Sequence, residues 1–304
     1  MFGLVDGNNF YVSCERAFDP TLIGKPVIVL SNNDGCAIAR STEAKALGVK
    51  MGEVWHLSKR RPEFSSVVAM SSNYALYGDM SRRVFEVLTE NFTRVEPYSI
   101  DEMFVDLSAF ARADYCRRVR DQVRRVVKIP TCIGIGPTKT LAKLANKYAK
   151  TATDMGGVAD FSDDALRRQA FETMPIDEIW GVGRAAQTKL NNLGIHTVAQ
   201  FAALPSASVR KLMTVTGQRT HAELGGLSCM PLSLVPSQRK TVSVTRAFGR
   251  PVETWDDMRE ALAAHASRAA EKARQHGLEA CAMQVFFHTN PHPAPTTSSR
   301  SRLP

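Results

Sequence analysis

Three acidic residues stand at the ends of apolar runs, where they could bind a metal ion. Asp101 and Glu102 separate the run 95–100 from the run 103–107, and Asp6 follows the apolar residues 2–5. Acidic residues are disfavoured inside strands, so a pair between two strand-like runs needs a cause. One interpretation is a hairpin turn with solvated carboxylates. The other is a divalent-metal site, because Mg²⁺ prefers hard carboxylate oxygens.

The metal interpretation requires the three acids to converge from distant parts of the chain. They can do so only if their strands are neighbours in one sheet. Converging carboxylates suit two-metal phosphoryl or nucleotidyl transfer. Adjacent strand residues point to opposite faces, so Asp101 and Glu102 can share a site only if the turn breaks that alternation.

The apolar pattern predicts an ordered series of strands and helices in the first half of the chain. The strands are predicted at 2–6, 95–100, 103–107 and 131–135. The helices are predicted at 9–18, 81–90, 115–126 and 140–150. The β–α–β–β–α–β order indicates a ferredoxin-like split sheet with helices on one face. In that topology the strand that carries Asp6 neighbours the hairpin that carries Asp101 and Glu102.

The second half predicts helices followed by a smaller mixed segment. Residues 162–229 are helical in pattern and include Trp180-Gly181-Val182-Gly183. After a proline-marked linker we expect a strand at 241–249, an alanine-rich helix at 256–275 and a strand at 279–288.

The composition favours a polyanionic partner. The 304 residues carry a formal charge of +9 and a pI of about 9.4, which favours nucleic acid, with acidic lipid as the competing polyanion. No apolar run approaches membrane-spanning length, and no signal peptide is visible. The six cysteines do not lie at metal-ligand spacing, so zinc is not expected. Reduced thiols in a cytoplasmic protein are the default expectation.

Four segments resemble, in order, the motifs of Y-family translesion DNA polymerases. They are 1–15, Ser31 to Arg40, Tyr98 to Glu102, and Gly134 to Lys143. Within that family they look like UmuC-type catalytic subunits of bacterial DNA polymerase V, over residues 1 to about 289. The resemblance implies an α+β, right-hand polymerase with a ferredoxin-like palm, small fingers, a helical thumb with a helix-hairpin-helix, and a partial little-finger domain. The implied domains are the palm (1–20 and 74–161), the fingers (21–73), the thumb (162–232) and the partial little finger (240–289).

The resemblance assigns the acids to two Mg²⁺ ions. It implies that Asp6 and Asp101 bridge both ions and that Glu102 assists the catalytic one. The carbonyl of Gly7 would complete the shell of the nucleotide-associated ion.

Two aromatic residues follow the first acid closely. On spacing alone, Phe10 and Tyr11 are best interpreted as core aromatics after a strand. The resemblance implies that Tyr11 is a steric gate, whose ring excludes a ribose 2′-hydroxyl by a clash, and that Phe10 packs beside it.

Several cations are candidates for binding a triphosphate. Arg40 and Lys45 could belong to a solvated charged face, the usual environment of such residues. The resemblance implies that Arg40, Thr42 and Lys45 reach the triphosphate from the fingers and that Lys139 does so from the palm. The glycines before Lys139 lack P-loop spacing.

The glycine pair in the helical region is a candidate DNA contact. A bare Gly-x-Gly is usually an ordinary turn between helices. The resemblance implies a helix-hairpin-helix in which Gly181 and Gly183 let backbone N–H groups approach a phosphate, with Arg184 and Lys189 nearby. Such contacts bind the DNA backbone and carry no sequence information.

The last part of the chain departs from the family pattern. The little finger is built as β–α–β–β–α–β, and residues 241–289 supply only its first β–α–β. Residues 290–304 are rich in Pro, Ser and Thr and are expected to be a disordered tail. We therefore expect a C-terminally truncated chain. The contacts with a sliding clamp and a UmuD′-like subunit that the family implies lie in later segments.

The resulting hypothesis is a template-directed DNA polymerase of low fidelity and low processivity that acts in translesion synthesis and SOS-type repair. It would use primer–template DNA, dNTPs and two Mg²⁺ ions. A second hypothesis is a catalytically weak or inactive DNA-binding remnant of such a polymerase. A third is a palm-type nucleotidyl cyclase, which would act on nucleotide without DNA.

Overall fold

The structure is a computed structural model that describes residues 1–108, 112–152, 155–234, 240–246, 248–249 and 251–288. The chain divides into two compact units, Met1–Ser237 and Gln238–Pro304. Among the described residues, no helix is both long and apolar enough to cross a membrane.

The elements follow the predicted order through the first unit. The strands are β1 (Phe2–Gly7), β2 (Val27–Leu30), β3 (Ala37–Arg40), β4 (Val68–Ser71), β5 (Val95–Pro97), β6 (Glu102–Asp106), β7 (Thr131–Gly136) and β8 (Val158–Asp160). The helices are α1 (Phe10–Phe18), α2 (Thr42–Ala46), α3 (Trp55–Ser58), α4 (Tyr74–Asn91), α5 (Arg112–Val127), α6 (Lys139–Thr151), α7 (Asp164–Thr173), α8 (Arg184–Asn191), α9 (Val198–Ala202), α10 (Ser206–Leu224) and α11 (Trp255–Gln275).

The larger sheet has the strand order β5-β6-β1-β7-β8. The central strand β1 is antiparallel to both β6 and β7. This arrangement confirms the ferredoxin-like palm, with β8 as an additional parallel strand beside β7. The predicted adjacency of β1 and the β5–β6 hairpin is also present, and it sets Asp6 opposite Glu102.

Alternating side chains of this sheet serve two different faces. Val5, Val105 and Ile133 belong to the core that also contains buried residues of α4 and α5. On the other face, Leu4 and Phe104 pack against Ala142 of α6. The helices of the split sheet therefore share one face as expected, while α6 covers the opposite face. Asp6 and Glu102 have the same strand parity as Leu4 and Phe104, so they lie on the α6 side.

Helix α6 approaches the sheet closely because β7 carries glycine at its contact points. A Cβ atom at Gly134 would lie 2.1 Å from both the carbonyl oxygen of Ala142 and the amide nitrogen of Asn146. No side chain fits in that space, so glycine sets the distance at which the lysines of α6 meet the acids.

We expect Gly134→Ala to destabilise the protein by about 3 kcal/mol, because the added methyl group overpacks a backbone contact. The matched control is Gly78→Ala in α4, where an added Cβ meets nothing within 4 Å. That change should stabilise the protein by roughly 0.5–1 kcal/mol through helix propensity. Urea unfolding measures both, and equal effects of the two changes would contradict the close approach of α6.

Two smaller layers complete the first unit. The fingers sheet has the order β3-β2-β4, and Ile28, Leu30, Trp55 and Phe64 lie in its core. The thumb helices α7 to α10 share a core with α6 and β8. The buried carboxylate of Glu223 on α10 accepts hydrogen bonds from the amide and hydroxyl groups of Thr140, which ties the thumb to the start of α6.

The second unit corrects part of the sequence prediction. The expected helix is present as α11, but the described residues of 241–249 and 279–288 form no strands. A strand is stabilised by its ladder partners and by cross-strand side chains, and none of these described residues pairs in a ladder. The sequence pattern alone therefore did not predict the structure of these two segments correctly. The predicted disordered tail, 290–304, lies outside the described residues.

Candidate active site

The structure brings the three predicted acids to one end of the large sheet. Asp6 near the end of β1 pairs in register with Glu102 at the start of β6. The amide of Gly7 donates a hydrogen bond to the carbonyl oxygen of Asp101 at 2.9 Å. Burial is the largest cause of a raised Asp6 pKa, and the carboxylates of Glu102 and Asp101 add to it, as expected for acids that lie near one another.

The β5–β6 turn allows Asp101 and Glu102 to face the same site, although adjacent residues of a strand would point to opposite faces. The amides of Tyr98 and Ser99 both donate to the Glu102 carbonyl at 3.0 Å, which closes a tight turn. Asp101 lies in this turn and outside the β6 ladder, which begins at Glu102. The Ser99 hydroxyl donates to the Asp101 carboxylate at 2.6 Å. Of the two neighbouring acids, only Glu102 has strand geometry. Strand alternation therefore does not force Asp101 and Glu102 to opposite faces.

Two lysines of α6 neutralise two of the acids. Lys150 lies 2.6 Å from the Asp6 carboxylate. Lys143 donates to both oxygens of Glu102, at 2.6 and 2.8 Å. Burial raises the pKa of Asp6 to about 6, although Lys150 opposes the shift.

The donor set fits a hard divalent cation. It consists of the Asp6, Asp101 and Glu102 carboxylates and the backbone carbonyl of Gly7, all oxygen donors of the kind that Mg²⁺ prefers. Within the described part of the chain, no three His, Cys, Asp or Glu side chains are already arranged to hold a metal ion. The present partners of Asp6 and Glu102 are ammonium groups. A metal ion at Asp6 would have to displace Lys150, whereas at Glu102 it would share the carboxylate with Lys143, which contacts both oxygens.

The predicted fingers residues face this acidic end. The Lys45 ammonium donates to the side-chain oxygen of Asn9 at 2.6 Å, and the Asn9 amide donates to Thr42 at 3.3 Å. Burial lowers the pKa of Lys45, and the nearby cations Arg40 and Lys150 lower it further, while Asp6 opposes the shift. Arg40, Lys45 and Lys150 thus form a cluster of cations that influence one another, and in it the Arg40 guanidinium donates a hydrogen bond to the carbonyl oxygen of Val49 at 2.7 Å.

The position of Lys139 corrects our expectation for that residue. Its ammonium group is buried, lies 2.5 Å from the Glu96 carboxylate and sits 4.9 Å from the centre of the Phe104 ring. Lys139 begins α6 and Lys150 lies eleven residues further on, which is about 16 Å of helix. Lys139 is therefore a buried structural cation and does not reach the acidic cluster.

The lysines that lie at the acids are Lys150 and Lys143, and the sequence argument missed both. A signal was available, because lysines at 139, 143, 147 and 150 recur at helical spacing. Such a series presents one cationic stripe, but its spacing does not say which turn meets the acids.

We expect Lys139→Met to lower the free energy of unfolding by about 3 kcal/mol, because it removes the counter-ion of the buried Glu96 carboxylate and leaves it with the hydrogen bond from the Ser233 amide. The double variant Glu96→Gln/Lys139→Met removes both charges and should recover most of that loss. Urea unfolding tests this prediction. A single variant as stable as the wild type would show that the buried pair is not needed.

The predicted gate residue lies in an aromatic stack. The Tyr11 ring stacks on Tyr77, with centroids 4.3 Å apart and an interplanar angle of 13°, and meets the edge of Tyr74 at 5.9 Å. The Tyr77 hydroxyl donates to Glu15 at 2.6 Å. Burial raises the pKa of Tyr11, and the Asp101 carboxylate contributes to the shift. Tyr11 is half-buried at the edge of the core that contains Phe10.

The glycines of the thumb turn leave its backbone accessible to solvent. Gly181 has φ +91°, a conformation that favours glycine, and Gly183 directly precedes α8. Gly181, Gly183, Arg184 and Lys189 are all exposed, while Val182 is buried. The turn therefore presents its backbone and two cations to solvent from a fixed core.

Comparison with solved structures identifies the class of fold. The chain is similar to the Dbh DNA polymerase insertion ternary complex, with a TM-score of 0.66 and 23% identity over 76% of this chain and 69% of that one. It is also similar to DinB from Sulfolobus solfataricus, with a TM-score of 0.65 and 24% identity over 77% and 70% of the two chains. The fold is that of the Y-family DNA polymerases, as the sequence analysis predicted.

Comparison of sequences identifies the family. The model of the impB/mucB/samB family matches residues 5–147, its C-terminal domain matches residues 239–304, and the helix-hairpin-helix motif of the same family matches residues 168–195. Protein SamB of Salmonella typhimurium is 43% identical over 96% of this chain and 70% of its own length. Protein UmuC of Salmonella typhimurium is 42% identical over the same shares. The chain belongs to the impB/mucB/samB family.

These matches confirm the predicted family and the helix-hairpin-helix thumb. They also correct one boundary, because the match to the C-terminal domain reaches residue 304, whereas the resemblance had ended near residue 289. A more distant relative is DNA polymerase IV 1 of Bacillus subtilis, which is 32% identical over 75% of this chain and 55% of its own length.

Proposed function

We propose that this protein is a template-directed DNA polymerase of low fidelity and low processivity that carries out translesion synthesis. The observation that carries the proposal is the meeting of Asp6, Asp101 and Glu102 at one end of the palm sheet, opposite the cations of the fingers and α6. Acids on one side and phosphate-binding cations on the other are what nucleotidyl transfer needs. The relatives named DNA polymerase support the same activity.

The residues divide the work between metal and nucleotide. Asp6, Asp101, Glu102 and the Gly7 carbonyl would hold two Mg²⁺ ions, which when bound activate the primer 3′-hydroxyl and stabilise the leaving pyrophosphate. Lys150 leaves the Asp6 carboxylate and, together with Arg40 and Lys45, binds the triphosphate. The Thr42 hydroxyl accepts a hydrogen bond from the Asn9 amide, and Asn9 in turn accepts one from Lys45. Tyr11 would lie under the sugar of the bound nucleotide.

The thumb supplies the contact with the duplex. The backbone amides at Gly181 and Gly183 and the side chains of Arg184 and Lys189 bind DNA phosphates, which fixes position without reading sequence. A basic chain with these contacts should bind DNA in a salt-dependent manner.

We also propose a cellular role and partners for this protein. The family suggests action in a DNA-damage response in the cytoplasm, with a UmuD′-like subunit and a sliding clamp as partners. The close similarity to relatives across the catalytic motifs does not favour the inactive-remnant hypothesis.

Primer extension tests the proposed activity. Purified protein, Mg²⁺ and dNTPs should extend a primer on an undamaged template and insert a nucleotide opposite an abasic site. The same mixture without DNA separates the polymerase from the nucleotidyl cyclase. A folded protein that binds primer–template but never extends it would instead support the remnant hypothesis.

We expect Lys150→Met to raise the KM for dNTP about tenfold, because a charge-assisted contact with phosphate is worth roughly 1.5 kcal/mol or more. The stability of the protein should fall as well, since the change removes the counter-ion of the buried Asp6 carboxylate, so the KM is compared on folded protein. Steady-state kinetics checks the change, with Lys211→Met on the exposed surface of α10 as a matched control. A KM like that of the wild type would contradict the assignment.

A further inference from the structure

Trp180, the residue before the thumb turn, contacts side chains of the palm. The Trp180 ring meets the edge of Tyr98 at 5.4 Å and stacks against Phe104 at 6.3 Å and 30°. Tyr98 begins the turn that carries Asp101 and Glu102. An aromatic contact therefore joins the phosphate-binding turn of the thumb to the acid-bearing turn of the palm.

One lysine connects this aromatic contact to the carboxylate of Glu102. The Lys143 ammonium lies 4.8 Å from the centre of the Tyr98 ring and 5.8 Å from that of Trp180. The same ammonium donates to both oxygens of Glu102. Two ring faces attract the cation and restrict a side chain that is otherwise flexible. Lys143 and Glu102 are each only 16% exposed, so water screens the arrangement weakly.

We propose that Trp180 is a positioning residue that couples phosphate binding at the thumb turn to the orientation of Glu102, through Lys143. This inference rests on the proposed polymerase function. A phosphate bound at Gly181 and Gly183 acts one to three residues from Trp180, so a shift of that turn moves the indole ring. The ammonium of Lys143 follows the ring, and the Glu102 carboxylate follows the ammonium.

The coupling would have a measurable size. Groups that orient a metal-binding carboxylate change metal affinity or activity by about 10- to 100-fold when removed. DNA bound correctly in the thumb would thereby favour the Glu102 orientation needed for chemistry.

The test compares Trp180→Ala with Trp180→Phe, which keeps a ring at the contact. The control is Trp255→Ala, which removes a tryptophan that is 72% exposed at the start of α11. Two quantities are measured with saturating primer–template. The first is the maximal single-turnover rate of insertion. The second is the affinity for Mn²⁺, from the electron paramagnetic resonance signal of free Mn²⁺ with a dideoxy-terminated primer and dNTP.

Trp180→Ala should lower both the rate and the Mn²⁺ affinity by about tenfold, with a smaller change in the KM for dNTP. Trp180→Phe should recover most of each loss, and Trp255→Ala should behave like the wild type. Lys143→Met should reproduce the Trp180→Ala phenotype, which keeps the test decisive if Trp180→Ala fails to fold.

A Trp180→Ala protein with weakened DNA binding but a wild-type rate and Mn²⁺ affinity at saturating DNA would overturn the inference, because Trp180 would then serve the thumb alone. An inactive wild-type protein would overturn the proposed function instead. In that case the Mn²⁺ affinities of the wild type and the variants still decide whether Trp180 and Lys143 position Glu102.

Discussion

Asp101→Asn should lower the maximal rate of nucleotide insertion about a thousandfold, which corresponds to ~4 kcal/mol of transition-state stabilisation. Asparagine keeps the size of the side chain and one oxygen acceptor but removes the negative charge that two cations would share. The turn should survive, because its closing hydrogen bonds come from the backbone of Tyr98, Ser99 and Glu102. Rapid-quench measurement at saturating dNTP and DNA gives the rate directly.

The matched control is Asp114→Asn, an aspartate whose side chain is almost fully exposed on α5, where it pairs with Arg117. This variant should insert nucleotides at the wild-type rate, since the pair lies on the surface. If Asp101→Asn retained more than about a tenth of the wild-type rate, Asp101 could not be a ligand shared by both ions.

Tyr11→Ala should raise the incorporation of ribonucleotides relative to deoxyribonucleotides by about a hundredfold, because removing the ring removes a steric barrier worth a few kcal/mol. The stack on Tyr77 holds the Tyr11 ring in one plane, so the barrier is rigid in the wild type. The ratio of kcat/KM for matched rNTP and dNTP pairs measures the effect.

Tyr11→Phe is the informative control for this prediction. It keeps the ring and its stacking partner and removes only the hydroxyl group, so discrimination against ribonucleotides should persist. Equal discrimination by the wild type and Tyr11→Ala would show that Tyr11 is not the gate and would leave it as a packing residue.

The sequence sufficed for the features that depend on neighbours along the chain and on strand pairing. The apolar runs around Asp6 and around Asp101 and Glu102 predicted strands, and the split-sheet topology then required those strands to be adjacent. The β1–β6 register places Asp6 opposite Glu102 as that reasoning demands.

The features that the sequence did not predict depend on rotations and contacts between elements. Lys139 and Lys150 lie on the same helix, and the close approach of α6 to Gly134 determines which of them meets the acids. Periodicity gives the stripe but not its alignment against the sheet. The strands proposed at 241–249 and 279–288 failed for a related reason, since alternation predicts a strand only where a partner is present to complete the ladder.

The sequence likewise did not predict the contact of Trp180 with the palm. The Trp-Gly-Val-Gly motif indicated a turn between helices, but the partner of its indole ring lies about eighty residues away, at Tyr98. Such long-range contacts join domains whose local patterns are independent of each other. Local sequence patterns therefore do not predict such contacts.

The most direct test of the central claim is single-nucleotide insertion opposite each of the four template bases. Each dNTP is offered separately to the wild-type protein with Mg²⁺ and four primer–templates that differ only at the templating position. A template-directed polymerase should prefer the complementary nucleotide in every case, with modest margins that reflect an open site. Insertion of the same nucleotide whatever the template base, or insertion that persists in Asp101→Asn, would contradict the proposed function and its assignment to these acids.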